Sequence, residues 1–264
     1  MNKYLSIYKT SVKQESKTLI NSLTSLISLI VIVYVFKQLW EFIYATGTQT
    51  LIKGYTIEMM IWYLVVAEMV AYTLNAREVT QSFSYDIKSG KLAYKLNKPY
   101  NYFMYNIVTQ CGIFSWKLCF TLPAGIIIGL VLLGPVKALN IIYFIPWLIT
   151  LLAGLLLLCV AYGTIGLLSF WIEEATPFAW ILNKMVLLLG VFFPPEFFPG
   201  LLQQLISYSP IYAMVSGPSK LFANFSWELF FNVFSVQMVY IVIFFVIGLS
   251  LYKIGTRKVN MYGG

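Results

Sequence analysis

An all-α protein that crosses a membrane several times is predicted by three features of the sequence. Of its 264 residues, 59% are hydrophobic and only 11% are charged, whereas a water-soluble domain carries about 25% charged residues. Several stretches run about 20 residues with few charges, the length that crosses roughly 30 Å of hydrocarbon as a helix. Ten-residue segments of alternating polarity, the mark of a lipid-embedded barrel, are lacking. The expectation is one transmembrane domain over residues 1–264 with six spans. An interfacial helix precedes them at 1–18, a charged segment at 77–100 separates two of them, and a broken hairpin at 194–210 follows the fifth.

The N-terminal stretch carries Lys3, Lys9, Lys13 and Lys17, with Tyr4, Leu5, Tyr8 and Val12 at helical spacing. That pattern fits an amphipathic helix lying in the membrane interface, and equally a charged tail. The stretch is too long and mixed for a cleavable signal. The first span is read at 19–43, with Ser22, Thr24, Ser25 and Ser28 on a face packed against protein. Trp40, Phe42 and Tyr44 form its aromatic belt. A short loop at 46–55 leads to the second span, 56–76.

The third span falls within 103–134, with a kink expected at Pro123, and the fourth within 141–171. Both stretches exceed the length required, so tilt, kinking or interfacial ends absorb the excess. Gly134, Pro135, Val136 and Lys137 make a tight turn between them. The next apolar run, 178–193, covers only about 24 Å at 1.5 Å per residue. It stops at a cluster containing Phe193, Pro194, Pro195, Glu196 and Pro199, where the prolines cannot continue a helix. Irregular backbone at membrane depth is tolerated only against protein or a cavity, so a re-entrant hairpin is expected over 194–210. The aromatic residues of this cluster read as an interfacial girdle. The sixth span is 230–252.

Six spans place both termini on one side. With that side go Lys3, Lys9, Lys13, Lys17, Arg77, Lys88, Lys91, Lys95, Lys98, Lys253, Arg257 and Lys258; opposite lie only Lys53, Lys137 and Lys220. The asymmetry puts the termini and the 77–100 segment in the cytoplasm, at the cytoplasmic membrane. The net charge of +8 is thereby explained at span ends, and no separate basic domain remains for nucleic acid.

The chain has no histidine, which removes the usual triads and most zinc sites. No catalytic residue and no metal ligand set is assigned. Cys111, Cys119 and Cys159 lie in apolar stretches and read as small buried residues. Gly90-Lys91 resembles part of a phosphate-binding loop, but the required glycine is Tyr85 and the required Ser/Thr is Leu92. If ATP drives this chain, another polypeptide holds it. Glu173 and Glu174 point in different directions on a helix and read as a solvated turn.

Two sets of residues are candidates for function. Phe83, Asp86, Ile87, Lys88, Ser89, Gly90, Lys91 and Leu92 form the sharpest part of the charged segment. A short helix here with an apolar knob at Phe83, Ile87 or Tyr94 suits docking into a partner's groove; a plain positive loop is the alternative. Glu68, Lys117 and Lys184 are ionisable residues inside spans, where such groups usually pair or face a cavity. Glu68 is expected to pair with Lys117 or Lys184, unless the lysines snorkel to the interface.

Asp86-Ile87-Lys88-Ser89-Gly90-Lys91-Leu92 with Leu96-Asn97-Lys98-Pro99 resembles a motif of type-2 ATP-binding-cassette (ABC) exporter permeases. The subfamily is the six-span one that includes viologen and multidrug exporters. Gly190-Val191-Phe192-Phe193-Pro194, Phe198-Pro199 and Tyr208-Ser209-Pro210 are similar to its outer hairpin. The resemblance implies a dimer with a second copy or a related permease, bound to two ABC ATPase subunits that carry the ATP-Mg. It implies that residues 77–100 dock on the ATPase as a coupling helix. It also implies that substrate passes between the first, second and fifth spans of the two halves. Lys88 stands where the family has Arg, which keeps the charge and loses the bidentate fork. The resulting expectation is an exporter of amphipathic or lipophilic substrates; the alternative is an ion-coupled transporter using Glu68.

Overall fold

The computed structural model describes residues 2–17, 19–46, 50–73, 76–136, 139–172 and 174–262, and these are helical apart from short connections. Lys137 and Glu173, and the side chains of Ser22, Ser25, Arg77 and Lys258, lie outside what is described. The helices are α1 (Asn2–Glu15), α2 (Leu19–Thr46), α3 (Ile57–Thr73), α4 (Ala76–Lys88), α5 (Lys91–Leu96), α6 (Tyr102–Leu133), α7 (Ile141–Gly166), α8 (Thr176–Val186), α9 (Gly200–Ser207), α10 (Gly217–Ala223) and α11 (Trp227–Tyr262). Among the described residues, five stretches are long and apolar enough to cross a membrane: Leu26–Thr46, Ile57–Lys88, Tyr102–Leu133, Ile141–Phe170 and Trp227–Arg257. A shorter apolar one covers Thr176–Val191.

The core is built around α3. Every residue from Met60 to Val70 is buried, because α2, α6 and α10 surround it. Two small residues let α6 approach closely. A Cβ on Gly125 would overlap the Met69 side chain, and one on Gly129 would overlap the Trp62 ring. Small residues at such seams allow backbone approach where no hydrophobic force separates helix from lipid. Thr73 and Thr121 complete the seam with a buried hydroxyl pair at 2.9 Å. By contrast α2 and α11 expose wide apolar faces (Ile27, Val31, Val35 and Val239, Val242, Val246).

Several boundaries differ from those expected. Helix α11 runs 36 residues, about 54 Å at 1.5 Å per residue, so Lys253 and Arg257 sit on the helix itself. Gly248 and Gly255 lie within this helix, and neither ends it. Helix α6 continues through Pro123. Helix α1 is packed lengthwise on the first half of α6. Asn101 N donates to Tyr4 Oη at 3.2 Å, and a Cβ on Gly112 would lie 2.7 Å from Ser11 Cβ. Farther along, Glu15 reaches Lys117.

The segment after α8 keeps its broken backbone satisfied by side chains. A π-helical turn (Leu187–Val191) follows α8, and a second (Tyr212–Ser216) precedes α10. The Gly190 carbonyl accepts from Tyr63 Oη at 2.5 Å and Ser216 Oγ at 3.2 Å. Gln237, fully buried on α11, donates from Nε2 to Thr150 O and to Ala213 O, both at 2.9 Å. Trp147 Nε1 donates to Pro218 O at 3.1 Å. Carbonyls freed by irregular turns in an apolar interior each require such a partner.

Candidate functional site

The charged segment is two helices joined at Gly90. Helix α4 is strongly amphipathic, with Val79, Thr80, Phe83, Ser84 and Asp86 buried and Tyr85, Lys88 and Ser89 exposed. It ends because Gly90 adopts φ 69°, a left-handed conformation that glycine takes without a Cβ penalty. Helix α5 follows, and the Asn101 side chain caps α6 by accepting from Met104 N at 3.1 Å.

The buried face of α4 is fastened to α5, α6, α7 and the segment between α7 and α8. Phe83 lies edge-on to Tyr102 at 5.4 Å, and a Cβ on Gly166 of α7 would overlap its ring. Thr80 Oγ1 donates to Tyr162 O at 3.2 Å. Ser84 and Ser169 hydroxyls meet at 2.7 Å, and Ala175 N donates to Ser84 Oγ at 3.3 Å. Asp86 accepts from Lys95 Nζ and from Tyr102 Oη, both at 2.5 Å. That buried carboxylate thus ties α4, α5 and α6 together, and two charge-assisted bonds offset its desolvation.

The outward face is different in kind. Tyr85 is 58% exposed and Tyr94 69% exposed. Each ring carries a lysine: Lys91 Nζ lies 4.7 Å from the Tyr85 ring centre and Lys98 Nζ 4.6 Å from that of Tyr94. Lys91 also donates to Tyr85 Oη at 3.0 Å, and this bond raises the lysine's pKa above its ordinary value. Lys88 pairs with Glu174 at 2.8 Å.

Of the eight residues singled out here by sequence, Phe83 and Leu92 are buried, Asp86 is internally paired, and Ile87 is half-buried against the core. Lys88, Ser89, Gly90 and Lys91 are exposed. The reading of Phe83 as a docking knob is corrected: its ring fills the space that Gly163 and Gly166 leave on α7. The exposed aromatic side chains are Tyr94, one of the three expected knobs, and Tyr85, which the sequence reading missed; its signal is an aromatic residue within a charged, span-free stretch.

The intramembrane charges do not form the expected pair. Glu68 is 2% exposed and its Oε1 has no hydrogen-bond partner among the described residues. Lys117 Nζ lies 3.8 Å from Glu15, and Lys184 lies 5.5 Å from the Trp180 ring centre. The physical reason is the placement of α1, which delivers a carboxylate beside Lys117 that periodicity alone could not locate. Lys37 pairs with Glu41 one helical turn on, at 2.9 Å.

At the other end of α3, Glu196 joins three elements. It is ion-paired with Lys220 of α10 and accepts from Tyr55 Oη at 3.0 Å. Burial, and then the Glu196 charge, push the Tyr55 phenol well above its usual range. Phe193 and Phe197 pack on Trp40 of α2, with ring centres at 6.2 and 5.4 Å. Phe192 stacks on Phe36 at 5.0 Å. These rings face α2. Pro194 and Pro195 are buried behind them, and Pro199 is exposed before α9.

The chain belongs to the ABC-2 family of transporter proteins, whose family pattern it matches over residues 29–263. No curated relative matches the chain. It is therefore a multi-pass membrane protein of the ABC transporter permease type.

Proposed function

We propose that this chain is the transmembrane subunit of an ATP-driven exporter. The carrying observation is the two-faced α4–α5 segment. Its buried face is fixed to α6, α7 and the start of α8, while its exposed face offers Tyr85, Lys88, Ser89, Gly90, Lys91 and Tyr94. A push on that face reaches the spans through Phe83, Asp86, Thr80 and Ser84 with little slack, since packed interiors transmit displacement.

In this reading residues 1–264 form one transmembrane domain with six spans, the fifth being the short helix beginning at Thr176. Both termini and the coupling segment 77–100 face the cytoplasm, and residues 194–210 form a re-entrant hairpin on the outer side. An ABC ATPase holds the ATP-Mg and docks on the exposed α4–α5 face. A second copy or a related permease covers part of the apolar surface. The apolar and aromatic spans favour an amphipathic or lipophilic substrate.

The test is co-purification with the partner ATPase and ATP-dependent transport in proteoliposomes. Tyr94→Ala with Lys91→Glu should abolish both while leaving the thermal midpoint of the permease unchanged. Normal coupling in that double variant would reject the docking face. A second reading, an ion-coupled transporter, is favoured by one observation: the buried, unpartnered Glu68 carboxyl oxygen. Substrate movement by the purified chain on an ion gradient, without nucleotide, would establish it and remove the first.

A further inference from the structure

An open basin of about 560 Å³ lies where the α2–α3 connection, the segment after α8, and the start of α11 meet. Its volume falls in the range of small-molecule sites, about 300–1,000 Å³. Met59, Tyr212 and Leu229 supply apolar lining. On one wall Glu196 and Lys220 already neutralise each other, with the Tyr55 hydroxyl on the same carboxylate. Two further charges of opposite sign line the basin, Lys53 and Glu228. Neither forms an ion pair among the described residues.

The position of Lys53 is the second observation. Residues 52–55 form a two-residue turn, closed by Ile52 N to Tyr55 O and Tyr55 N to Ile52 O, both at 3.0 Å. Its central residues have φ 52° at Lys53 and φ 87° at Gly54, as in a type I′ turn. Asn, Asp or Gly is favoured at the first of these positions, and a long side chain there costs backbone strain. A lysine thus breaks the local rule, and such departures concentrate at functional sites. What the lysine adds is a cation on the basin wall.

We propose that this basin binds the headgroup of a zwitterionic amphiphile. The anionic group, a phosphate or carboxylate, lies at Lys53 and the ammonium at Glu228, with the attached chain over Met59 and Leu229. A ligand of one sign would leave one of these two charges facing its like. The inference rests on the transporter reading only for the side from which the ligand arrives; binding needs no ATPase.

The test uses the full-length chain in a maltoside detergent, with binding read by calorimetry. The probes are dihexanoyl-phosphatidylethanolamine, free phosphoethanolamine, hexyl phosphate and hexylammonium. Saturable binding of the zwitterionic probe is expected, with both probes of a single charge sign about tenfold weaker or more. Lys53→Asn removes the cation and keeps the turn, since Asn-Gly is favoured there. It and Glu228→Gln should each raise the Kd about fivefold or more, roughly 1 kcal/mol for a partly exposed charge contact. The swap Lys53→Glu with Glu228→Lys should recover most of the affinity. Phosphoethanolamine binding as tightly as the lipid probe would assign a soluble zwitterion; a requirement for the acyl chains would assign a membrane lipid. Equal affinity for hexyl phosphate and the zwitterion, or an unchanged Kd in both single variants, overturns the proposal. Absence of any ATPase partner would sink the exporter reading and leave this result standing.

Discussion

One tyrosine and one phenylalanine in the charged segment show how position decides role. Phe83 and Tyr85 are two residues apart on one helix, yet one ring is wholly buried and the other 58% exposed. Phe83→Ala should destabilise the protein by about 3–5 kcal/mol, since the vacated space beside Gly166 cannot close fully. Tyr85→Ala should leave stability within about 0.5 kcal/mol. Thermal denaturation of the purified permease separates the two, and similar midpoints for both variants would reject the inward anchor. Tyr55 offers a pH prediction. Its phenol titrates near 10.0 when unfolded and higher when folded. The stability it contributes is therefore fully present below pH 10 and lost as pH rises toward the folded value. Tyr55→Phe should flatten that alkaline loss. Because it removes a bond to a carboxylate, it should also cost about 1.5–3 kcal/mol at neutral pH.

At the scale of elements, broken backbone is held by single side chains on neighbouring helices. Gln237 spans from α7 to the π-turn before α10 through two bonds from one amide nitrogen. Gln237→Leu would leave the Thr150 and Ala213 carbonyls short of a partner, at about 1–3 kcal/mol each. A large fall in the thermal midpoint is expected, with proteolysis between α8 and α11 as the local readout; an unchanged cleavage pattern would assign those carbonyls another partner. Helix α1 poses a similar dependence. Gly112→Leu would drive Ser11 and the Tyr8 carbonyl away from α6, and Lys117 would lose Glu15. Cysteine cross-linking between α1 and α6 should fall in that variant, and retention of the cross-link would show that α6 yields instead.

For the whole molecule, the helices divide into an enclosed α3 and outer helices with exposed apolar faces. Helix α3 is enclosed on all sides, while α2 and α11 present aliphatic stripes outward. Such surfaces belong against lipid or protein, since water would not wet them favourably. Glu68 sits in the enclosed part. Under the exporter reading, Glu68→Gln should leave ATP-driven transport within about twofold, because no ion pair is broken. Under ion-coupled transport the same change should abolish gradient-driven uptake. Parallel assays in the two modes decide between them.

The all-helical class, the membrane setting and the charged segment between two apolar stretches were determined by the sequence itself. They depend on composition and on run length, which survive in one dimension. The weakness of the fifth stretch was also legible, from its length and from the prolines at 194, 195 and 199. Which face of each helix looks inward was not. In an apolar chain the hydrophobic pattern does not distinguish lipid from protein, so Phe83, Tyr85 and the rings at 192–197 all carried the same signal. The partner of Lys117 depended on where α1 packs, and the partner of Glu196 on Tyr55 and Lys220, distant in sequence and brought together only by folding. The charged segment is therefore one stretch in the sequence and two surfaces in the structure: the inner fastened through Phe83 and Asp86, the outer offered through Tyr85 and Tyr94.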